Sequence, residues 1–193
     1  LVRDQGSIVK QLGWEPKQYA EELIKKEKKL NSIIVPFTDK IDVEGPYKGN
    51  GNDNHWGINY ESVLNDIMGL KYSSIENNYD RAVHTEYAGG ITGHSFKAVK
   101  KFWSDLRTAF PNSKFQIHHR IGREDPMLSP RAAIRWSLSG KHEGNGIFGK
   151  PSNAEVYILG ISHVEFGPWG IRKEYSLYDE VAVWKQILIN FTN

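Results

Sequence analysis

Apolar residues recur along this chain with two periods, and the change of period organises it. Over residues 15–31 the spacing is helical: Tyr19, Leu23 and Leu30 form a narrow stripe, and Pro16 suits a first helical turn. The run Lys25-Lys26-Glu27-Lys28-Lys29 reads as the solvated face of that helix. Residues 44–57, dense in Gly, Asn and Asp, read as a loop. Residues 1–58 are therefore expected to be an N-terminal helical arm and loop, and residues 59–193 the main domain. A second helix is predicted from Tyr60 to Glu76, capped by Asn59, with Tyr60, Val63, Leu64, Ile67 and Ile75 inward. A short strand from Arg81 to Tyr87 and a turn at Gly89-Gly90 follow. A third helix, His94 to Phe110, puts Phe96, Val99, Trp103, Leu106 and Phe110 on one side, and Pro111 ends it.

After Pro111 the period falls to two, the signature of strands. Phe115, Ile117, His119 and Ile121 share one face. Ile134, Trp136, Leu138, Gly140 and His142 share a face of the next strand. In a third, Val156, Ile158, Gly160, Ser162, Val164 and Phe166 alternate with Tyr157, Leu159, Ile161, His163 and Glu165. A turn at residues 167–170, a strand from Ile171 to Tyr178 and a helix from Asp179 to Ile189 close the chain. Helices followed by four consecutive antiparallel strands predict an α+β fold with a curved sheet.

Composition narrows the function classes. The 193 residues, 39% hydrophobic and 12% aromatic, suffice for one domain with a real core. No apolar run approaches the length of a membrane span, about 20 residues, so no membrane partner is expected. A net charge of +2 gives no footprint for nucleic acid. Cysteine is absent, which removes disulfides and thiolate chemistry. No basic start joined to an apolar stretch marks a signal peptide, so a cytoplasmic location is expected. There is no Gly-rich phosphate loop between a strand and a helix and no Gly-x-Ser-x-Gly elbow.

Several motifs then fall into a familiar order. They are Gly140-Lys141-His142-Glu143-Gly144, Phe148-Gly149-Lys150-Pro151-Ser152, Gly160-Ile161, Gly170-Ile171, and Glu174-Tyr175 with Asp179. Upstream stand Val83-His84, Gly93-His94 and Ala109-Phe110-Pro111. Over roughly residues 60–180 the chain resembles the SnoaL-like polyketide cyclase branch of the NTF2-like superfamily. The resemblance also fits the C-terminal unit of longer bacterial chains with two such domains. It implies a cone: a curved, mostly antiparallel sheet wrapped around helices, with an apolar pocket at the open end. It also implies a homodimer through the outer sheet face. Family activities include aldol cyclisation, double-bond isomerisation, epoxide opening and dehydration, and some members are protein-binding adaptors.

Alternation puts His142 on the pocket side, where the family has a strand-end histidine, and an imidazole can move a proton beside a carbonyl. His119, on the face of Phe115 and Ile117, and Asp179, matching a recurrent family aspartate, are expected to assist it; Asp179 reads more readily as a cap of the C-terminal helix. Trp136, Ser162, His84 and Tyr175 are expected to line the substrate site. The family's aspartate acid/base falls where this chain has Ser162, and a hydroxyl cannot act as base without a partner. His163 and Glu165 are placed on the outer face. No metal and no cofactor is expected. The expected function is cofactor-independent cyclase or isomerase chemistry on a hydrophobic carbonyl compound, with a non-catalytic ligand-binding or dimeric accessory module as the alternative.

Overall fold

In chain order the helices are α1 (Gln5–Gln11), α2 (Pro16–Lys29), α3 (His55–Met68), α4 (Ser73–Asn78), α5 (Ser95–Ala109) and α6 (Glu180–Asn190). The strands are β1 (Tyr79–Tyr87), β2 (Ile91–His94), β3 (Lys114–Arg123), β4 (Arg131–Lys141), β5 (Glu155–Gly167) and β6 (Gly170–Tyr178). They belong to a computed structural model that describes residues 4–29 and 49–190. The expected end of the first helix at residue 31 and the start of the loop at residue 44 lie outside the described residues.

The strands form one curved, unclosed sheet in the order β2-β1-β6-β5-β4-β3. All neighbours are antiparallel except β1 and β6, which run parallel. The fold is therefore the expected α+β cone. α3 lies over β3 and β4, and α5 lies over β1. Between helices and sheet sits the core, with Tyr60, Trp103, Trp136, Tyr87, Phe110 and Phe148 among its largest fully buried side chains.

Glycine permits the closest approach in this core. Gly160 of β5 is in register with Trp136 of β4, and a Cβ there would come within 2.2 Å of the indole ring. The ring instead lies flat over the strand and meets Trp103 edge-on at 5.7 Å. At the sheet's β3 edge, Asn52 donates its backbone N–H to the Arg120 carbonyl and Asn50 accepts from the Arg120 N–H. Gly51 between them has φ +107°, and a Cβ there would collide with the Arg120 carbonyl, so a glycine lets this segment cover an otherwise open edge.

Four features differ from the pattern reading. α3 starts at His55, because the Asn54 side chain accepts from the Trp56 N–H and caps it there, ahead of Asn59. It ends at Gly69, so the stretch predicted to reach Glu76 is two helices. α1 is held by a capping box between Asp4 and Ser7 and carries no long apolar period. β2 is only four residues and mostly exposed, so alternation cannot reveal it.

The N-terminal helices are joined to the main domain. Val9, Ala20 and Val181 form a small second core with Tyr19, Leu23, Trp184 and Leu188 against it. Asp4 accepts from the Gly89 N–H at 3.1 Å, and Lys10 bridges the Gly89 carbonyl and Glu180. Where β6 gives way to α6, the Gln186 amide takes both backbone groups of Tyr157 and continues the ladder. Among the described residues no helix is long and apolar enough to cross a membrane.

Close packing at Gly160 is testable. Gly160→Ala should displace Trp136 and lower stability by about 1–3 kcal/mol, the usual cost of overpacking. Urea unfolding measures this, and an unchanged midpoint would mean that the indole does not rest on the β5 backbone.

Candidate functional site

Alternation along β6 points Glu174, Ser176 and Tyr178 into the cone and leaves Tyr175 and Leu177 on the other face. Glu174 is wholly buried. Its Oε1 accepts from Tyr60 Oη of α3 at 3.1 Å, Trp103 Nε1 of α5 at 3.1 Å and Ser176 Oγ at 2.9 Å. Its Oε2 accepts from Tyr87 Oη of β1 at 2.8 Å. Behind Ser176 stands a second layer. Ser162 Oγ lies 2.7 Å from Ser176 Oγ, and Trp136 Nε1 donates to Ser162 Oγ at 2.9 Å. An indole N–H can only donate, and Ser176 donates to the carboxylate, so Ser162 must donate to Ser176.

Among the described residues no lysine, arginine or histidine forms an ion pair with Glu174. Burial therefore governs its acidity: desolvation raises the carboxyl pKa above the ordinary value, against the pull of the Tyr87, Ser176 and Trp103 donors. Burial and the neighbouring carboxylate push the Tyr60, Tyr79 and Tyr87 phenols well up, so all three stay neutral, and Tyr60 and Tyr87 donate to Glu174. Tyr60, Trp103, Trp136, Ser162, Glu174 and Ser176 have no accessible surface, so not even a water-sized space touches them. The centre of the cone is dry and filled.

The expected site residues are spread over several places. Trp136 and Ser162 belong to this network. His142 does not: it lies just past β4, six residues beyond Trp136, or roughly 20 Å of strand. Its ring is buried between Phe110 and Phe148, Nδ1 meets Ser152 Oγ at 3.1 Å, and Nε2 has no partner. Desolvation lowers its pKa, so it is neutral at neutral pH. His119 was expected to face inward with Ile117. A bulge at His118 shifts the register, pairs His119 with Arg135 and pairs Arg120 with Ile134. Arg120 thus reaches α3 and binds Glu61, with Asp53 at 2.8 Å. His119 borders a separate polar cleft of about 410 Å³ beside Glu61 and Asn50.

Asp179 is exposed and accepts from the Ala182 N–H at 3.0 Å, which makes it the cap of α6. His84 and Tyr175 stand on the outer face. His84 Nε2 meets Glu86 Oε1 at 2.8 Å with the His94 ring 4.9 Å away, and Tyr175 lies beside His163. Among the described residues no three histidine or carboxylate groups converge as a metal site requires. Glu174 itself escaped the pattern reading. Arg172 is an extra residue where β6 pairs with β5, so counting by twos from Ile171 puts Glu174 on the wrong face.

The raised Glu174 pKa sets the sign of a pH dependence. The fold favours the protonated acid, so its contribution to stability is full below the ordinary value of 4.5 and is lost as pH rises through the higher folded value. The stability of the wild type relative to Glu174→Gln should fall steadily from pH 4.5 toward neutrality. Urea unfolding across that range gives the difference. A flat one would mean an unshifted carboxyl.

The comparisons with known proteins agree with this geometry. No curated protein matches the sequence. Structural similarity extends to a protein from Jannaschia sp. CCS1 assigned as a SnoaL-like polyketide cyclase: TM-score 0.57, 10% identity, covering 70% of this chain and 96% of that one. IdmH of Streptomyces antibioticus, assigned as a polyketide cyclase, gives TM-score 0.58 and 10% identity over 69% of this chain and 99% of its own. AclR of Streptomyces galilaeus, assigned as a hydroxylase, gives TM-score 0.54 and 13% identity over 69% and 83%. At these identities the likeness is one of fold. The sequence profile of the SnoaL-like polyketide cyclase family matches residues 70–187, more than half of the chain, and the chain belongs to that family.

Proposed function

We propose that this domain takes a small hydrophobic molecule bearing a carbonyl group and moves a proton on it with Glu174, without a cofactor. One observation carries the reading: a carboxyl at the centre of the cone with four side-chain donors and no cationic partner among the described residues. Burying a carboxyl this way lowers stability relative to an apolar side chain of similar size. A raised pKa in a dry, mostly apolar interior is what a general acid or base beside an enolising carbonyl needs. In this reading the role expected of His142, His119 and Asp179 passes to Glu174. Tyr60 and Tyr87 supply hydrogen bonds to the developing enolate oxygen, and Trp103 and Trp136 supply apolar walls. Ring closure or double-bond isomerisation would follow proton removal. Because the centre is filled, the ligand must displace side chains to reach it.

The burial of every residue of the network, none more than 1% exposed, favours the second reading, a non-catalytic accessory module. The two separate in one experiment. The protein is incubated in heavy water with a panel of cyclic ketones and lactones, and deuterium uptake beside the carbonyl is followed by mass spectrometry. Under the first reading the wild type catalyses exchange on at least one compound, and Glu174→Gln loses about 10²-fold or more of it. If the wild type exchanges none of them, and none raises its melting temperature, the accessory module takes over.

We also propose a homodimer through the outer sheet face. Ile161 is 57% exposed there and Leu159 39%, with Leu177 in register beside Ile161. Sedimentation velocity should find a dimer that Ile161→Asp converts to a monomer; a wild-type monomer at high concentration would refute it.

A further inference from the structure

Three side chains behind the Glu174 carboxyl form a hydrogen-bonded chain with one possible direction. Trp136 Nε1 lies 2.9 Å from Ser162 Oγ, Ser162 Oγ lies 2.7 Å from Ser176 Oγ, and Ser176 Oγ lies 2.9 Å from Glu174 Oε1. The indole N–H only donates, and an ionised carboxylate only accepts. Each serine therefore accepts from the residue behind it and donates to the one ahead. Both hydroxyl protons point toward Glu174.

Packing holds that direction. Trp136, Ser162 and Ser176 have no exposed surface, so bulk water offers neither serine another partner. The indole rests on Gly160, two residues before Ser162 on the inner face of β5, and its N–H is thereby held at the Ser162 hydroxyl. Aligned hydrogen bonds strengthen one another, because a hydroxyl that accepts a bond becomes a better donor. Ser176 thus binds the carboxylate more strongly than a serine with nothing behind it. The far end of the chain is an N–H that accepts no proton, so the chain is a dead end for proton transfer and not a relay.

We infer that Trp136 and Ser162, neither of which hydrogen-bonds the carboxyl, are positioning residues that hold Ser176 as a donor to Glu174 and stabilise its ionised form. The role rests on the reading of Glu174 as the proton-transfer group, but it concerns the protonation equilibrium and is measurable without turnover.

The other groups that face the carboxyl leave this chain as the part that can be removed separately. Tyr60 from α3, Trp103 from α5 and Tyr87 from β1 donate to it directly. Tyr79 and Thr85, also from β1, carry buried hydroxyls with no hydrogen-bond partner. The three phenols stay neutral, and among the described residues no cation pairs with Glu174. A titration of the carboxyl therefore reads its own proton.

The test follows the Glu174 carboxyl by carbon-13 NMR through a pH titration of the folded protein. The resonance is assigned by its loss in Glu174→Gln. Ser162→Ala should raise the Glu174 midpoint by about 0.3–0.5 pH unit, the share of one charge-assisted bond that alignment supplies. Ser176→Ala should raise it by about one unit or more, and Ser162→Ala should add nothing in that background. If Ser162→Ala does not fold, Ser162→Cys, whose thiol is a weak donor of similar shape, should move the midpoint in the same direction. A midpoint unmoved or lowered by Ser162→Ala overturns the inference. So does an equal shift with Ser176 present and absent, which is what loss of a nearby dipole alone would give, and so does a Glu174 that does not titrate in the folded protein. Where the wild type catalyses deuterium exchange, Ser162→Ala should move the pH profile with the midpoint and keep the plateau rate. A plateau loss of about 10²-fold would make the chain a proton route and overturn the dead end. The expected midpoint shifts without any exchange would overturn the proposed reaction and support the chain.

Discussion

A buried carboxyl with no cationic partner among the described residues is the constraint around which this cone is organised. Water solvates a carboxylate far better than any protein interior, so Glu174 is tolerable only if its lone pairs are filled. Each donor comes from a different element: Tyr60 from α3, Tyr87 from β1, Trp103 from α5 and Ser176 from β6. β5 and β4 join through Ser162 and Trp136. Four strands and two helices, distant along the chain, thus meet at one group. A one-residue slip of β6 would turn Glu174 to the outer face and strand its donors in a dry core. Polar satisfaction therefore opposes slippage in a sheet whose apolar pattern is already interrupted by bulges.

The aromatic packing and the polar network depend on each other. Trp103 and Trp136 each present a ring to the core and an N–H to the network, so neither can be replaced by an aliphatic residue without losing a donor. Trp136 fits because Gly160 has no side chain beneath it. Phe102 stacks on Tyr87 at 3.8 Å and helps fix that hydroxyl against Oε2. The rigidity of the site comes from packing, and its chemistry from the polar groups that the packing holds in place.

How much of this was legible in the sequence depended on whether a segment kept one period. α5 did, and Val99, Trp103, Leu106 and Phe110 are buried as their spacing predicts. β4 and β5 did, which placed Trp136 and Ser162 inward. β3 and β6 did not. One extra residue at His118 exchanged His119 for Arg120, and one at Arg172 hid Glu174 among apparently outward polar residues. The motifs carried the family through their order and spacing. They could not locate the acid, because Ser162 stands where the family pattern has its aspartate, and the carboxyl nearest that point comes from the neighbouring strand. Asp179 is a motif match whose place just before the last helix already read as a cap, and its bond from the Ala182 N–H agrees with that local role.

His142 marks the limit of reasoning from alternation. Parity along β4 did point it inward, and it is fully buried. Facing inward is not the same as facing the site, because a cone ten or more residues long has two ends. His142 sits where β4 leaves the sheet, and its backbone binds Ala154, Ser152 and Asn153. Its Nδ1 bond to Ser152 and the enclosing Phe110 and Phe148 rings close that end of the core. Glu174 lies beside Val164, ten residues further along β5 than Ala154. His142 and Glu174 are therefore separate in space and shifted oppositely by the same cause. Burial keeps His142 uncharged by lowering its pKa and favours an uncharged Glu174 by raising its own. Glu174 is ringed by four donors that stabilise its charged form, whereas the His142 ring has one polar contact, at Nδ1.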